Sequence, residues 1–380
     1  MYIANLFAGT HKMRVALVSE YYFPHLGGIT EHVHNLALEI NRAGHKAILI
    51  TSHLSGEGKD EPFVRRVGHS RLFFSNGSFS RFTIGWGLKT KIERILKDEE
   101  IDLVHLHAPL SPTLNPLALS AANRLGIPAV ATFHSWFPRS CVIRALSRSL
   151  QKRMDQIAIK IAVSAPVVQA HERYFQADWK IIPNGVRVGY FHPNGRLLMD
   201  AIALGPRLLF VGRLDPRNGL GTLLKAMPLI LRSYPKAQLL VAGSGPLRRH
   251  YESRARDIQD NVRFLGTVYD ERPDCYSSSD LYLCPTTRAS FGITLLEAMA
   301  CGTPLVVSDI IGFRELIGAG EEAVLVRASD PQAWADAVVW LIGNPVQRAA
   351  MHVAGIVKAA KFAWPRVTQQ VIDLYGKVTQ

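Results

Sequence analysis

The stretch that decides the fold runs from Thr286 to Asp309 and reads TTRASFGITLLEAMACGTPLVVSD. It predicts a loop, a short apolar helix that ends at Gly302, and a buried strand. Backbone N–H groups at the start of a helix have no partner inside it, and the helix dipole adds positive potential there, which suits a phosphate. The residues that would bind this phosphate are Phe291, Gly292, Ile293 and Thr294.

Glu297 follows about one turn into this helix. From that position its carboxylate could accept hydrogen bonds from ribose hydroxyls, while the neighbouring apolar side chains pack beneath a sheet. The alternative is an ordinary strand–loop–helix unit without a ligand, because short glycine motifs also occur by chance.

At 380 residues the chain predicts two domains, because single cores rarely grow beyond about 250 residues. The formal net charge of +13 favours a nucleotide diphosphate, an anionic membrane surface or a nucleic acid as partner. No zinc-finger spacing or dense basic run supports the nucleic acid. The four cysteines show no CxxC pairing, and the first residues do not form a convincing secretory signal. Both observations favour a cytoplasmic protein with reduced thiols and no cysteine-bound metal.

Apolar strands alternate with amphipathic helices in both halves, which predicts an α/β protein with two doubly wound, Rossmann-like sheets. We divide the chain into residues 1–195, residues 196–362 and a helix at residues 363–380 that packs back on the first domain. The first strand, MRVALVS, precedes a helix that Gly27 and Gly28 open and Thr30 caps. Because that turn lacks GxGxxG, a nicotinamide or flavin oxidoreductase is disfavoured.

Ligands of such sheets bind at the carboxyl ends of the strands. In the second half the stretch GRLDPRNG places Arg213 and Arg217 at such an end, where both could reach a diphosphate. The next strand leads into VAGSGP, where Gly243 and Gly245 allow close approach of the backbone to a ligand. Val268, after the third strand, could lie against a base.

Two features of the first half have more than one interpretation. His134 ends the strand AVATFH and is either a catalytic residue or a buried structural histidine. The segment from Pro138 to Lys160 is basic and amphipathic. It fits a helix lying on an anionic membrane, and equally a helix that covers the sheet with a solvated basic side.

Several stretches together resemble the retaining glycosyltransferases of the GT-B fold, family 4 group: FVGRLDPRNGL, VAGSGP, FLGTV, SFGITLLEAMACGTPLVVSD, the GG loop before EHV, ATFH and IPNGV. The resemblance extends from Met13 to the last helix. Within that group SEYYFPHLGGITEHV, SNGSFSRF, HLHAPLSP and ATFHS are most similar to the phosphatidylinositol mannosyltransferases.

This resemblance implies two Rossmann-like domains that face a central cleft. No carboxylate pair of the DxD type stands where a metal-bridged diphosphate would need it, so we expect no essential metal and no cofactor. The resemblance implies transfer of mannose from GDP-mannose to a lipid such as phosphatidylinositol, by a peripheral protein at the inner face of the cell membrane.

The resemblance also implies roles for individual residues. The expected catalytic residues are His134 at the transferred sugar, Arg213 at the leaving diphosphate and Glu297 at the ribose. Further donor-binding residues are Gly27, Gly28, Thr30, Arg217, Asn218, Gly243, Gly245, Val268, Phe291, Gly292, Ile293, Thr294 and Leu295. The expected acceptor-binding residues are Tyr21, Asn76, Arg81 and His134.

Two positions depart from the family pattern. Asn218 stands where a lysine is usual, so a second charge for the phosphates is missing unless Arg217 supplies it. Ala289 replaces the first of two glutamates spaced eight residues apart, and with it the carboxylate that grips the donor sugar. Three hypotheses therefore stay open: transfer to a membrane lipid, transfer to a soluble or polyprenyl-linked acceptor, and a catalytically silent protein that binds nucleotide or lipid.

Overall fold

The computed structural model describes residues 12–25, 27–56, 60–75, 78–195, 205–318 and 320–379, with the backbone alone at residues 73–75 and 78–80. The chain forms two compact units: unit 1 comprises Met1–Pro183 with Trp364–Gln380, and unit 2 comprises Asn184–Ala363.

The sequence analysis placed the boundary between the units at residue 195. In the structure it lies earlier in the chain, between Pro183 and Asn184. Val186 already bridges to Ala363 inside unit 2, and the hydroxyl of Tyr190 donates to the carbonyl of Tyr269 at 3.2 Å. Phe191 is buried, with its ring 6.1 Å from that of Tyr276. These contacts assign the segment to the second unit.

Unit 1 is built on an eight-stranded sheet with the order β4-β3-β2-β1-β5-β6-β7-β8. Its strands are β1 (Arg14–Val18), β2 (Lys46–His53), β3 (Val64–Ser75), β4 (Ser78–Ile84), β5 (Leu103–His107), β6 (Ala129–Phe133), β7 (Ile159–Ala162) and β8 (Trp179–Ile181). Neighbouring strands are parallel except in the β3–β4 hairpin. The last four residues of β1 are fully buried, as expected for a parallel strand covered on both faces.

The first segment of unit 1, which ends at Pro183, contains five helices within its described residues. They are α1 (Gly28–Arg42), α2 (Leu88–Asp98), α3 (Leu114–Arg124), α4 (Cys141–Met154) and α5 (Ala165–Glu172). Helix α1 begins two residues before its expected cap, with Gly27 at the N-cap position. Thr30 lies in the first turn, where its buried hydroxyl donates to the carbonyl of His25 at 2.8 Å. The prediction that Thr30 caps this helix is therefore wrong, because a local bond to the preceding loop uses the hydroxyl.

Unit 2 contains a six-stranded parallel sheet with the order β11-β10-β9-β12-β13-β14. Its strands are β9 (Arg207–Val211), β10 (Gln238–Ala242), β11 (Val262–Gly266), β12 (Leu281–Cys284), β13 (Leu305–Ser308) and β14 (Ala323–Val326). Its helices are α6 (Leu220–Ser233), α7 (Arg248–Arg254), α8 (Arg272–Ser277), α9 (Ile293–Ala300), α10 (Ile311–Ile317), α11 (Pro331–Ile342) and α12 (Pro345–Ala360). The predicted α/β class with two doubly wound sheets is confirmed.

The C-terminal helix α13 (Trp364–Tyr375) belongs to unit 1 and packs against α1. Its spacing puts Val367, Val371 and Tyr375 on one buried face. The hydroxyl of Tyr375 also forms a 2.6 Å hydrogen bond with Nδ1 of His105 on β5. Among the helices of the described residues, none has the length and apolar content that crossing a membrane requires. All four cysteines are free thiols.

The Tyr375 hydrogen bond yields a test of how α13 is held. Tyr375→Phe keeps the ring but leaves the buried Nδ1 of His105 without its partner, so we expect a loss of about 1–3 kcal/mol in the free energy of unfolding. Urea denaturation measures it. The control is Tyr251→Phe, because no hydrogen bond in the described part of the chain involves that hydroxyl. Equal stability of the two variants would contradict a structural role for the bond.

Candidate functional site

Strands β9 and β12 are neighbours in the sheet of unit 2, although β10 and β11 lie between them in sequence. The order of the strands therefore reverses at this pair, and such a switch point leaves room for a ligand beyond the strand ends. The segments that follow the two strands meet there. The backbone N–H and the hydroxyl of Thr287 both donate to the carbonyl of Arg217, at 2.8 and 3.1 Å.

Close backbone contacts fix these loops. A Cβ on Gly219, which has φ +76°, would lie 2.1 Å from the carbonyl oxygen of Pro285. A Cβ on Gly243, with φ +148°, would lie 1.9 Å from that of Gly212. A Cβ on Gly245 would lie 2.8 Å from the carbonyl oxygen of Leu214, which is also too close for a side chain. The tight approach predicted at Gly243 and Gly245 is therefore made to the chain's own backbone, beside the loop that carries Arg213.

The arginines predicted to bind a diphosphate lie in this loop. Nη2 of Arg213 is 3.2 Å from a carboxylate oxygen of Asp215. The Asn218 amide donates to the carbonyl of Arg213 at 2.8 Å, so it stabilises the loop. The pKa of Arg217 is lowered, chiefly by partial burial and further by the charges of Arg213 and Arg288, while Asp215 opposes this shift.

Helix α9 begins where the sequence predicted a phosphate site. Gly292 is its N-cap residue, with φ +121° and no side-chain cap, so the first turn of the helix keeps open N–H groups. Leu295 differs from the other predicted residues, because its N–H donates to the carbonyl of Gly292 at 3.0 Å and its side chain is buried. Phe291 is buried as well, and its ring packs edge-on against that of Phe362.

Glu297 is 1% exposed, and its carboxylate is held by two side chains of α8. The hydroxyl of Tyr276 donates to Oε2 at 3.0 Å, and Nη2 of Arg272 lies 3.2 Å from Oε1. The sequence analysis predicted neither Arg272 nor Tyr276 as a partner of Glu297. The one signal for them is their spacing of four residues, which places them on the same face of a helix.

Four histidines gather in unit 1 where β5 and β6 end. His105 and His107 alternate along β5 and therefore point to the same face, with ring centroids 4.2 Å apart. Nδ1 of His107 forms a 3.1 Å hydrogen bond with Nε2 of His134. His32 on α1 packs edge-on against His134 at 4.6 Å and against Trp364 of α13 at 5.1 Å. The sequence identified only His134 of this group.

Burial favours the neutral form of three of these imidazoles, those of His105, His107 and His134. Burial is the main cause that lowers the pKa of His105 to about 3 and the pKa values of His107 and His134 well below their usual range. Neighbouring histidines lower all three pKa values further. Ligand nitrogens of His32, His107 and His134 lie within 4.8 Å of one another, so these three residues could hold a metal ion. The absence of an essential metal stays a prediction.

Two of the predicted acceptor-binding residues meet on the other side of β1. The hydroxyl of Tyr21 accepts a hydrogen bond from the backbone N–H of Arg81 at 3.4 Å. Nη1 of Arg81 donates to Ser70, whereas its Nε is buried and has no hydrogen-bond partner among the described residues. Asn76 lies outside the described residues. Val268 is half-buried just beyond β11.

The contact between Gly243 and Gly212 yields a second test. In Gly243→Ala the new methyl group meets the carbonyl of Gly212 and φ is positive, so we expect a loss of more than about 1 kcal/mol in unfolding free energy. The control is Gly221→Ala in α6, where the methyl group has ordinary space; this change should be neutral or stabilise by up to about 1 kcal/mol. Equal melting temperatures of the two variants would show that the backbone at Gly243 does have room for a side chain.

The neutral histidines predict acid sensitivity. In the unfolded chain each takes up a proton near pH 6.5, whereas His105, His107 and His134 stay neutral in the fold. The unfolded state then binds more protons, so each such histidine lowers the free energy of unfolding by about 1.4 kcal/mol per pH unit below that pH. Denaturant midpoints measured between pH 7 and 5.5 should therefore fall.

Glu20 provides the control for this pH dependence. Glu20 lies two residues beyond β1, and its carboxylate accepts hydrogen bonds from the N–H groups of Thr113 and Leu114. Burial nevertheless raises its pKa from 4.5 to about 7. Between these two pH values the folded state retains a proton that the unfolded state has lost. The contribution of Glu20 to the free energy of unfolding therefore rises as the pH falls from about 7 to 4.5. Glu20→Gln removes this opposing effect and should steepen the fall. A flat profile in both proteins would show that the histidines are not neutral.

Comparison with known proteins gives matches over both units. A family model described as Glycosyltransferase Family 4 matches residues 26–189, and one described as Glycosyl transferases group 1 matches residues 205–344. The phosphatidyl-myo-inositol mannosyltransferase of Mycobacterium leprae is 34% identical over 369 residues, which cover 96% of this chain and 97% of that protein. The protein of the same name from Mycolicibacterium smegmatis is 31% identical, covering 97% and 94%.

Solved structures show the same fold at low identity. A glycosyltransferase from Rickettsia africae matches with a TM-score of 0.79 and 17% identity, covering 98% of this chain and all of the other. HepE of Anabaena, in complex with UDP-glucose, matches with a TM-score of 0.75 and 18% identity, covering 96% and 100%.

Proposed function

Because the chain belongs to the family 4, group 1 glycosyltransferases and has their GT-B fold, we propose that it moves mannose from GDP-mannose to phosphatidylinositol or a related lipid. The relatives that are 31–34% identical over nearly the whole chain carry the name of this activity. The bound UDP-glucose of HepE supports a nucleotide sugar as donor class.

The observation that carries the proposal is the switch point of unit 2. There the segment that leads into α9 is hydrogen-bonded through Thr287 to the loop with Arg213 and Arg217, and α9 begins without a side-chain cap. N–H donors and positive charge are therefore available for the leaving diphosphate. Such preorganised stabilisation usually provides a large part of the rate, and removing one donor costs about a hundredfold or more in turnover. We assign Glu297, held by Arg272 and Tyr276, to the ribose.

The proposed reaction is a transfer with retention of configuration. The acceptor oxygen attacks the anomeric carbon on the face that the diphosphate leaves, and the bond from that carbon to the diphosphate oxygen breaks. The electron pair stays on the diphosphate, which also takes the acceptor's proton, so no protein nucleophile is needed. We assign His134 to the transferred sugar, where a neutral imidazole donates or accepts a hydrogen bond without adding charge.

We assign the head group of the acceptor to Tyr21 and Arg81. A phosphate is suited to this place, because the guanidinium of Arg81 is partly buried and its Nε has no hydrogen-bond partner among the described residues. Burial lowers the pKa of Arg81, and a phosphate charge would offset that cost.

Helix α4 supports a peripheral contact with an anionic membrane. Met154 is its one buried residue, while the apolar side chains of Val142 and Leu146 are 67% and 52% exposed. The helix carries Arg144, Arg148, Lys152 and Arg153 and no acidic residue. An uncovered helix with this composition fits a membrane surface better than the covering role that the sequence also allowed.

A silent binding protein is the second candidate, supported by Ala289 and Asn218. Neither side chain supplies the group expected there, and the Asn218 amide is bound to the loop. Ala289→Glu separates the candidates: turnover that appears only in this variant would establish that the native chain is silent. Transfer to a soluble or polyprenyl-linked acceptor is tested by offering such acceptors beside phosphatidylinositol.

The test of the proposal has two steps. Calorimetric titration with GDP, UDP and ADP and their sugar conjugates identifies the donor, and a product assay on phosphatidylinositol vesicles follows. In the vesicle assay Arg81→Gln should raise the KM for the lipid about tenfold or more and leave donor affinity unchanged. Arg71→Gln is the control, because this exposed arginine lies on the adjacent strand opposite Phe82.

Binding of a nucleotide sugar without product on any acceptor would favour the silent protein. Equal KM values in the two variants would remove Arg81 from the acceptor site.

A further inference from the structure

Arg288 was not among the predicted site residues, yet the fold brings it to the switch point of unit 2. It lies between β12 and α9, directly after Thr287, whose two hydrogen bonds to the carbonyl of Arg217 join the loops. The contact of Gly219 with Pro285 holds the same loops together at their base. The position of Arg288 is therefore set by backbone contacts, while its side chain is exposed.

Positive charge accumulates here without a matching number of carboxylates. Arg213 pairs with Asp215, whereas neither Arg217 nor Arg288 forms an ion pair within the described ranges. Three guanidinium groups thus share one carboxylate. Burial is the main cause that lowers the pKa of Arg217, and the charges of Arg213 and Arg288 lower it further. Like charges held together by a rigid backbone cost free energy, which an anion bound among them recovers.

We propose that Arg288 binds the diphosphate of the nucleotide donor, where it provides the cation that the neutral side chain of Asn218 does not. The inference rests on the proposed function and extends it by a residue from a second loop. The Asn218 amide is bound to the carbonyl of Arg213, and Arg288 follows Thr287, which is bound to the carbonyl of Arg217 in the same loop. A diphosphate between them meets arginines from both strands of the switch point, together with the N–H groups that begin α9.

The test compares affinity for a nucleoside diphosphate with affinity for the matching monophosphate. Calorimetric titration of the full chain with GDP and GMP, and in parallel with UDP and UMP and with ADP and AMP, identifies the base that the native protein prefers. For that base, Arg288→Ala should weaken the diphosphate about tenfold or more and the monophosphate much less, because a charge-assisted contact to the second phosphate is lost.

The matched control is Arg232→Ala. This arginine is exposed at the far end of α6, twelve residues from the first residue of the helix and therefore about 18 Å away along its axis. It removes the same side chain and the same charge from unit 2, so it should leave both affinities unchanged. Because Arg288 is also exposed, neither variant should unfold at a lower denaturant concentration than the native protein.

A second variant tests the relation between the two loops. Asn218→Lys introduced into the Arg288→Ala protein should restore most of the diphosphate affinity, since a cation then returns to the same site from the β9 side.

The outcomes separate the two proposals. If the native chain binds no nucleoside diphosphate, the proposed function fails. If it binds one and Arg288→Ala binds it equally well, or loses the monophosphate to the same extent, the role of Arg288 is overturned while the proposed function stands. Failure of the lysine to restore affinity would overturn the claim that Arg288 substitutes for a charge at 218.

Discussion

The close backbone contact between neighbouring loops is the constraint on which unit 2 depends. Gly219 against Pro285 and Gly243 against Gly212 leave no room for a side chain, so the segments after β9, β10 and β12 can meet in one arrangement only. The contact of Gly219 with Pro285 exists because the strand order reverses between β9 and β12, which makes these two strands neighbours. Side chains that would otherwise be mobile on a surface, above all the arginines, therefore project from a fixed frame, and binding an anion there requires little reorganisation.

Unit 1 reaches rigidity by a different route. Its histidines are buried beside one another and form hydrogen bonds with each other or with neighbouring hydroxyls: His105 bonds Tyr375 and Thr132, and His107 bonds His134 through Nδ1. Nε2 of His107 is buried and has no hydrogen-bond partner among the described residues. In a low dielectric such a cluster is stable only while it stays uncharged. The network also ties the C-terminal helix to the end of the sheet where His134 lies. A residue assigned to the sugar thus depends on a helix more than two hundred residues later in the chain.

The sequence was sufficient for the class of fold, the family and the start of α9, because these follow from local apolar patterns and short motifs. The GT-B fold and the family 4 relationship are confirmed by the matches over nearly the whole chain. What the sequence did not disclose depends on tertiary pairing: Arg272 and Tyr276 around Glu297, three histidines beside His134, and Arg288 beside Arg217. The predicted cap of α1 was wrong for a related reason, because the hydroxyl of Thr30 donates to the carbonyl of His25 in the preceding loop. The roles of the site residues stay predictions.

Unit 1 is discontinuous in sequence, because its last helix follows all of unit 2. During synthesis the ribosome therefore releases every residue of unit 2 before it releases the seventeen that complete unit 1. Until then the surface that Val367, Val371 and Tyr375 later cover is open to solvent. A chain that lacks α13 would therefore present this apolar surface to chaperones and proteases.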